Sequence, residues 1–139
     1  PAEAVEDQAA KSLPSKGTGV VLLVEDEAPV RAFAARALRM RGYTVIEAET
    51  AEEALSLLED DSMAVDVFVT DVVMLGMDGP TWVRKARENR PEVSVVFVSG
   101  YAEEAFAKNL PEGARFGFLP KPFSLKQLAT KVKETLEEE

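Results

Sequence analysis

Apolar positions along this chain fall into blocks whose spacing changes between the period of a strand and that of a helix. Residues 1–19, PAEAVEDQAAKSLPSKGTG, show no sustained period and read as a linker or tail. At Val20 the signal changes. VVLLV (20–24) is a continuous apolar run rich in β-branched residues, as expected of a strand covered on both faces. After EDEAP, the residues Val30, Phe33, Ala34, Ala37 and Leu38 recur at helical spacing. Pro29 suits a first helical turn and Gly42 a C-terminal stop. YTVIEA predicts a second strand, and Thr50 with Glu53 forms a capping box ahead of the helix face Ala51, Ala54, Leu55 and Leu58. VDVFVT predicts the third strand, and turn-rich MLGMDG precedes Pro80 and a helix carrying Trp82, Val83 and Ala86. VSVVFVS (93–99) predicts the fourth strand, 102–108 a short helix, and ARFGFL (114–119) a fifth strand weakened by Gly117. Ser124 with Gln127 repeats the capping box before a last helix with the stripe Leu125, Leu128, Ala129, Val132 and Leu136. The stripes predict core packing.

Five strands alternating with five helices predict parallel pairing through right-handed crossovers. The expected fold class is α/β, a doubly wound five-stranded parallel sheet of order 2-1-3-4-5, flavodoxin-like, over residues 20–139. A chain of 139 residues, 46% hydrophobic, is enough for one such domain. No stretch approaches the roughly 18 uninterrupted apolar residues of a membrane helix, so no direct membrane contact is expected. With 25 acidic against 16 basic residues and net charge −9, phosphate-rich nucleic acid is disfavoured as a partner and cations are favoured. The absence of Cys excludes disulfides and thiolate nucleophiles. The absence of His excludes a Ser-His-Asp triad and His-ligated zinc. The start at Pro1, without an apolar signal segment, predicts a piece excised from a longer protein.

Open parallel sheets bind ligands beyond the carboxyl ends of their strands. There the first strand delivers Glu25, Asp26 and Glu27, the third Asp71, the fourth Ser99, and the fifth is followed by Lys121. Singly, each has an ordinary explanation as a helix cap, a turn residue or a surface lysine. Together they are unusual, because close carboxylates repel by about 4 kcal/mol per pair at an effective dielectric of about 20. A divalent cation relieves that, and oxygen donors without His or Cys point to Mg²⁺. A carboxylate, a hydroxyl and an ammonium around Mg²⁺ suit phosphoryl transfer.

At these residues the chain resembles the receiver domain of two-component response regulators from about Val20 to Leu136. VEDE, DVVMLGMDG, VSGYAE and KPF stand in order at four strand ends. The resemblance implies that Asp71 is the phosphoacceptor, forming an aspartyl phosphate by attack on a phosphohistidine. It implies Asp26, Asp71 and the backbone carbonyl of Val73 as Mg²⁺ ligands, with Glu25 touching the metal through a water. It implies Lys121 and Ser99 on phosphoryl oxygens, Tyr101 as the aromatic switch, a cis Lys121–Pro122 bond, and intrinsic self-phosphorylation and autodephosphorylation. Leu75 stands where the family pattern has Pro.

VEDEAPVRAFAARAL, SGYAEE and FLPKPFSLKQLATKV look like the C-terminal receiver of CckA-type hybrid histidine kinases of bacteria. That resemblance implies a histidine kinase domain as phosphodonor and a histidine phosphotransferase as next acceptor. It also implies a cytoplasmic location, with the parent kinase anchored in the membrane. Only EEE follows Leu136, so no DNA-binding output domain is expected on this chain. The alternatives are a stand-alone response regulator and an unphosphorylated receiver-like interaction module. A haloacid-dehalogenase-type phosphatase would need a second Asp where Val73 stands. An FMN binder would need a phosphate-cradling loop where EDE stands.

Overall fold

The strand-forming runs assemble into a single parallel sheet. The structure, a computed structural model, describes residues 19–74, 76–99 and 116–137. The elements are β1 (Val20–Val24), α1 (Ala28–Met40), β2 (Thr44–Ala48), α2 (Ala51–Leu58), β3 (Val67–Asp71), α3 (Gly79–Arg87), β4 (Ser94–Ser99), β5 (Phe116–Pro120) and α4 (Leu125–Glu137). The strand order is β2-β1-β3-β4-β5, the order that the alternating pattern predicts. The expected helix over 102–108 lies outside the described residues, as do Tyr101, Leu75 and residues 1–18. Four helices are therefore seen among the described residues, against five expected.

Strand alternation divides the core in two. Leu22, Val24, Phe68, Val95 and Phe97 pack beneath α2 and α3, with Ala54, Trp82 and Val83. Val21, Leu23, Val67, Val69, Val96 and Val98 pack on the other face beneath α1 and α4, with Leu38, Leu128 and Val132. Each fully buried aliphatic or aromatic side chain contributes about 1.5–3 kcal/mol of transfer free energy. This double covering is why the central strands read as continuous apolar runs.

Local chemistry sets the helix ends. Ser124 Oγ accepts from the Gln127 amide at 3.0 Å and Gln127 Oε1 accepts from the Ser124 amide at 2.8 Å, a complete capping box at the start of α4. At α2, Thr50 Oγ1 accepts from the Glu53 amide at 3.0 Å, but Glu53 Oε1 reaches the amide of Glu49, one residue further back than the predicted box. Asp78 caps α3 by accepting from the Thr81 amide at 2.9 Å. Glu27 occupies the cap position of α1 and makes no side-chain capping bond. Gly42, with φ of 99°, ends α1 in the left-handed region that glycine tolerates.

Two of the predicted core stripes need correction. Phe33 is 41% exposed and Leu125 38% exposed. α1 turns Ala34, Ala35, Ala37 and Leu38 to the sheet, while Phe33 lies on its flank against Phe123, ring centroids 6.0 Å apart. The helical period places a residue on a stripe but does not say how far round the helix the neighbouring elements reach.

Candidate functional site

The sheet register brings the carboxyl ends of β1, β3 and β4 level. Val24 stands opposite Thr70 and Asp71 opposite Val98, so Glu25, Asp71 and Ser99 emerge at one edge. Oxygens of Glu25, Asp26 and Asp71 all lie within 4.8 Å of one another. Asp71 is only 7% exposed. Lys121 approaches from the loop after β5, held by its amide bond to the Ser99 carbonyl at 2.8 Å. The Lys121–Pro122 peptide that shapes this loop is cis, as the resemblance implies.

Lys121 Nζ lies 2.9 Å from Asp71 Oδ2, 3.4 Å from Glu25 Oε1 and 4.0 Å from Glu27 Oε1. Burial works against its positive charge. The hydrogen bond and charge of Asp71, joined by Glu25, outweigh burial and hold the Lys121 pKa above its ordinary value. Glu25 is pushed from 4.5 up to about 7, first by burial and then by the neighbouring negative charge of Asp71. The Glu27 amide, bonded to Glu25 Oε2 at 3.1 Å, and Lys121 act in the opposite direction. The arrangement combines a nearly buried carboxylate, a cation in contact with it, and further carboxylates with spare oxygen lone pairs.

Of the predicted site residues, Glu25, Asp26, Asp71 and Lys121 converge. Ser99 is buried at the end of β4 beside them, bonded through its carbonyl to Lys121. Val73 follows the strand end and is 53% exposed. Tyr101 lies outside the described residues. Sequence reasoning missed Arg31, whose guanidinium donates to the Glu25 carbonyl at 2.7 Å and so ties the acidic loop to α1. It also missed Gly79, where an added Cβ would lie 2.3 Å from the Asp71 carbonyl oxygen. Arg31 sits in i, i+4 register with Glu27, which was a usable signal, and Gly79 within the turn-rich MLGMDG was another. An open apolar cleft of about 480 Å³, lined by Pro29, Val30, Phe33, Lys121, Pro122 and Phe123, adjoins the site.

Comparison with known proteins agrees with this geometry. The sensor kinase CckA of Brucella abortus is 55% identical over 139 residues, all of this chain, and the chain spans 15% of that kinase's length. The response regulator receiver protein CpdR of the same organism is 30% identical, the match covering 84% of this chain and 95% of CpdR. The crystal structure of the receiver domain from the hybrid histidine kinase CckA superposes with a TM-score of 0.72 at 44% identity, covering 86% of this chain and 100% of that one. A receiver protein from Sinorhizobium medicae gives a TM-score of 0.76 at 31% identity, covering 86% and 94%. Residues 21–133 match the response regulator receiver domain. With its sheet order, its acidic strand ends and that match in agreement, the chain belongs to the response regulator receiver family of two-component signalling.

Proposed function

We propose that Asp71 accepts a phosphoryl group from the phosphohistidine of a CckA-type hybrid kinase and that the group then passes to a histidine phosphotransferase. The observation that carries this reading is the contact of Lys121 with Asp71 at 2.9 Å inside a cluster of three carboxylates. In the forward step an Asp71 oxygen forms a bond to phosphorus while the P–N bond of the donor breaks, its electron pair staying on the imidazole. Lys121, already in contact with the acceptor, meets a phosphoryl oxygen as it arrives. Ser99 donates its hydroxyl to another.

The donor set fits a hard divalent cation. It is made of oxygens, three carboxylates have them within 4.8 Å, and the chain has no His or Cys to favour a softer ion. Asp26, Asp71 and the Val73 carbonyl would hold Mg²⁺ directly and Glu25 through a water. When bound, Mg²⁺ neutralises charge on the transferring phosphoryl oxygens. The apolar cleft beside Lys121 supports a protein donor and acceptor, since it offers contact area next to the reacting group. We read residues 1–19 as a linker, 20–139 as the receiver, and Tyr101 as the switch reporting to the face formed by β4, the segment after it, and β5. Transfer from an ATP-dependent kinase places the domain in the cytoplasm, the kinase itself being membrane-anchored. Among the described residues no helix is long and apolar enough to cross a membrane.

The test is transfer of ³²P from a phosphorylated histidine kinase domain, with and without Mg²⁺. Wild type takes label only with Mg²⁺, and Asp71→Asn takes none. Equal labelling of Asp71→Asn overturns the assignment by placing the phosphoryl group on another residue, whereas a wild type that takes no label favours an interaction module that is never phosphorylated.

A further inference from the structure

Asp71 is held from two sides. Its carboxylate meets Lys121, while its main-chain carbonyl accepts a 2.9 Å hydrogen bond from Thr70 Oγ1. That hydroxyl accepts in turn a 2.9 Å bond from the indole Nε1 of Trp82, the single tryptophan of the chain. Thr70 and Trp82 are both 0% exposed. We propose that Trp82 and Thr70 are positioning residues for the phosphoacceptor, acting as a buried relay that fixes the Asp71 peptide and so the direction of its carboxylate. The proposal rests on the reading of Asp71 as the nucleophile.

The core around the pair is apolar, with Leu22, Val24, Phe68, Val72 and Phe97 in the same cluster. Val at 70 and an apolar ring at 82 would fill that space without burying polar atoms, which cost free energy wherever they lack partners. Instead a hydroxyl and an indole N–H are buried, and their bonds run in one direction. Because the Thr70 oxygen accepts from Trp82, its own proton is directed to the Asp71 carbonyl. The β1–β3 register ends at Val24 opposite Thr70, so on that side the Asp71 peptide lies past the ladder, while on the β4 side its N–H, that of Val72, donates to the Val98 carbonyl at 3.1 Å. The Thr70 hydroxyl holds the carbonyl of the same peptide. The same helix supplies a second contact: Gly79 packs against the Asp71 carbonyl, and its amide donates to the Val72 carbonyl at 2.8 Å. Gly79 and Trp82 are i, i+3 on α3 and so share the face turned to β3. The indole is itself locked by Phe68, ring centroids 4.9 Å apart at 59°.

The experiment uses the full chain with acetyl phosphate as donor and Mg²⁺ present, together with the indole N–H resonance in a ¹⁵N-labelled sample. Thr70→Val and Trp82→Phe keep most of the volume and remove the relay. Each is expected to lower the maximal rate of labelling by about three- to tenfold at an unchanged donor KM. The double variant should be no slower than either single one, and Thr70→Ser should restore the rate. In wild type, Asp71→Asn should move the Trp82 indole resonance, and in a Thr70→Val background it should not. Single variants that lower the Tm but label within twofold of wild type, or effects that multiply in the double variant, would overturn the relay. If wild type accepts no label from either acetyl phosphate or a kinase, the proposed function fails. The phosphoacceptor role of the relay then falls with it, and the resonance decides only whether Trp82 and Thr70 hold the Asp71 peptide, an unmoved peak refuting that and a moved one upholding it.

Discussion

Glu25 and Lys121 show how burial sets the chemistry of a single residue. Both sit where water is scarce, but Lys121 has Asp71 as a partner at 2.9 Å, whereas Glu25 has the like charge of Asp71 nearby. Lys121 therefore holds its proton more firmly, and Glu25 rises to about 7. A folded-state pKa of about 7 above the ordinary 4.5 means that the folded protein binds this proton more tightly than the unfolded chain. The resulting stabilisation is fully present below about pH 4.5 and is lost as pH rises through about 7. Glu25→Gln keeps the neutral shape and removes the titration. In a chelator, its stability relative to wild type should grow from about pH 5 to about pH 8, read from urea midpoints. A difference that stays constant with pH would contradict this. Lys121, whose raised pKa Glu25 helps to set, titrates above this pH window and so does not enter the comparison.

At the scale of elements, the site depends on close approaches that side chains would block. A Cβ at Gly79 would lie 2.3 Å from the Asp71 carbonyl oxygen, a backbone atom that cannot rotate away. A Cβ at Gly117 would meet Thr135 Oγ1 at 2.6 Å, a side-chain atom that can. Gly79→Ala should therefore cost more than Gly117→Ala, about 1–3 kcal/mol in urea unfolding for the former. It should also slow phosphoryl acceptance, because Asp71 moves with its peptide; the reverse order of stability would count against this account of how α3 seats on β3. The role of Gly117 also explains why the fifth strand reads as weak in sequence. The glycine that lowers strand propensity is the one that lets α4 approach. Arg90 acts similarly at the opposite edge, its guanidinium donating to the carbonyls of Met63 at 2.7 Å and Asp60 at 3.0 Å, beyond the end of α2. Nothing in the local pattern around Arg90 announces partners some thirty residues away.

For the whole molecule, the decisive quantity is charge placed by the fold. The chain carries net −9, and the sheet gathers three of its carboxylates within 4.8 Å. A cation that binds only the folded cluster stabilises it by mass action and relieves the repulsion. Millimolar Mg²⁺ should raise the Tm by several degrees, about 1–3 kcal/mol if its concentration is ten to a hundred times Kd. Asp26→Ala should abolish most of that shift, and an equal shift in this variant would place the cation elsewhere.

Strand and helix order, the β2-β1-β3-β4-β5 sheet and the arrival of Glu25, Asp26, Asp71 and Lys121 at one edge were all readable in the linear pattern. Apolar period and capping chemistry are local, and parallel crossovers leave few ways to connect them. Tertiary structure alone decided the rest. It set how far neighbours wrap each helix, leaving Phe33 exposed while Ala35 is buried. It set which carboxylate meets the lysine at 2.9 Å and which, at 3.4 Å and deeper from water, rises in pKa. It also joined Trp82 to Asp71 through a hydroxyl twelve residues from the indole. These outcomes depend on distances between segments remote in sequence, and such distances arise only once the sheet has packed between its two layers of helices.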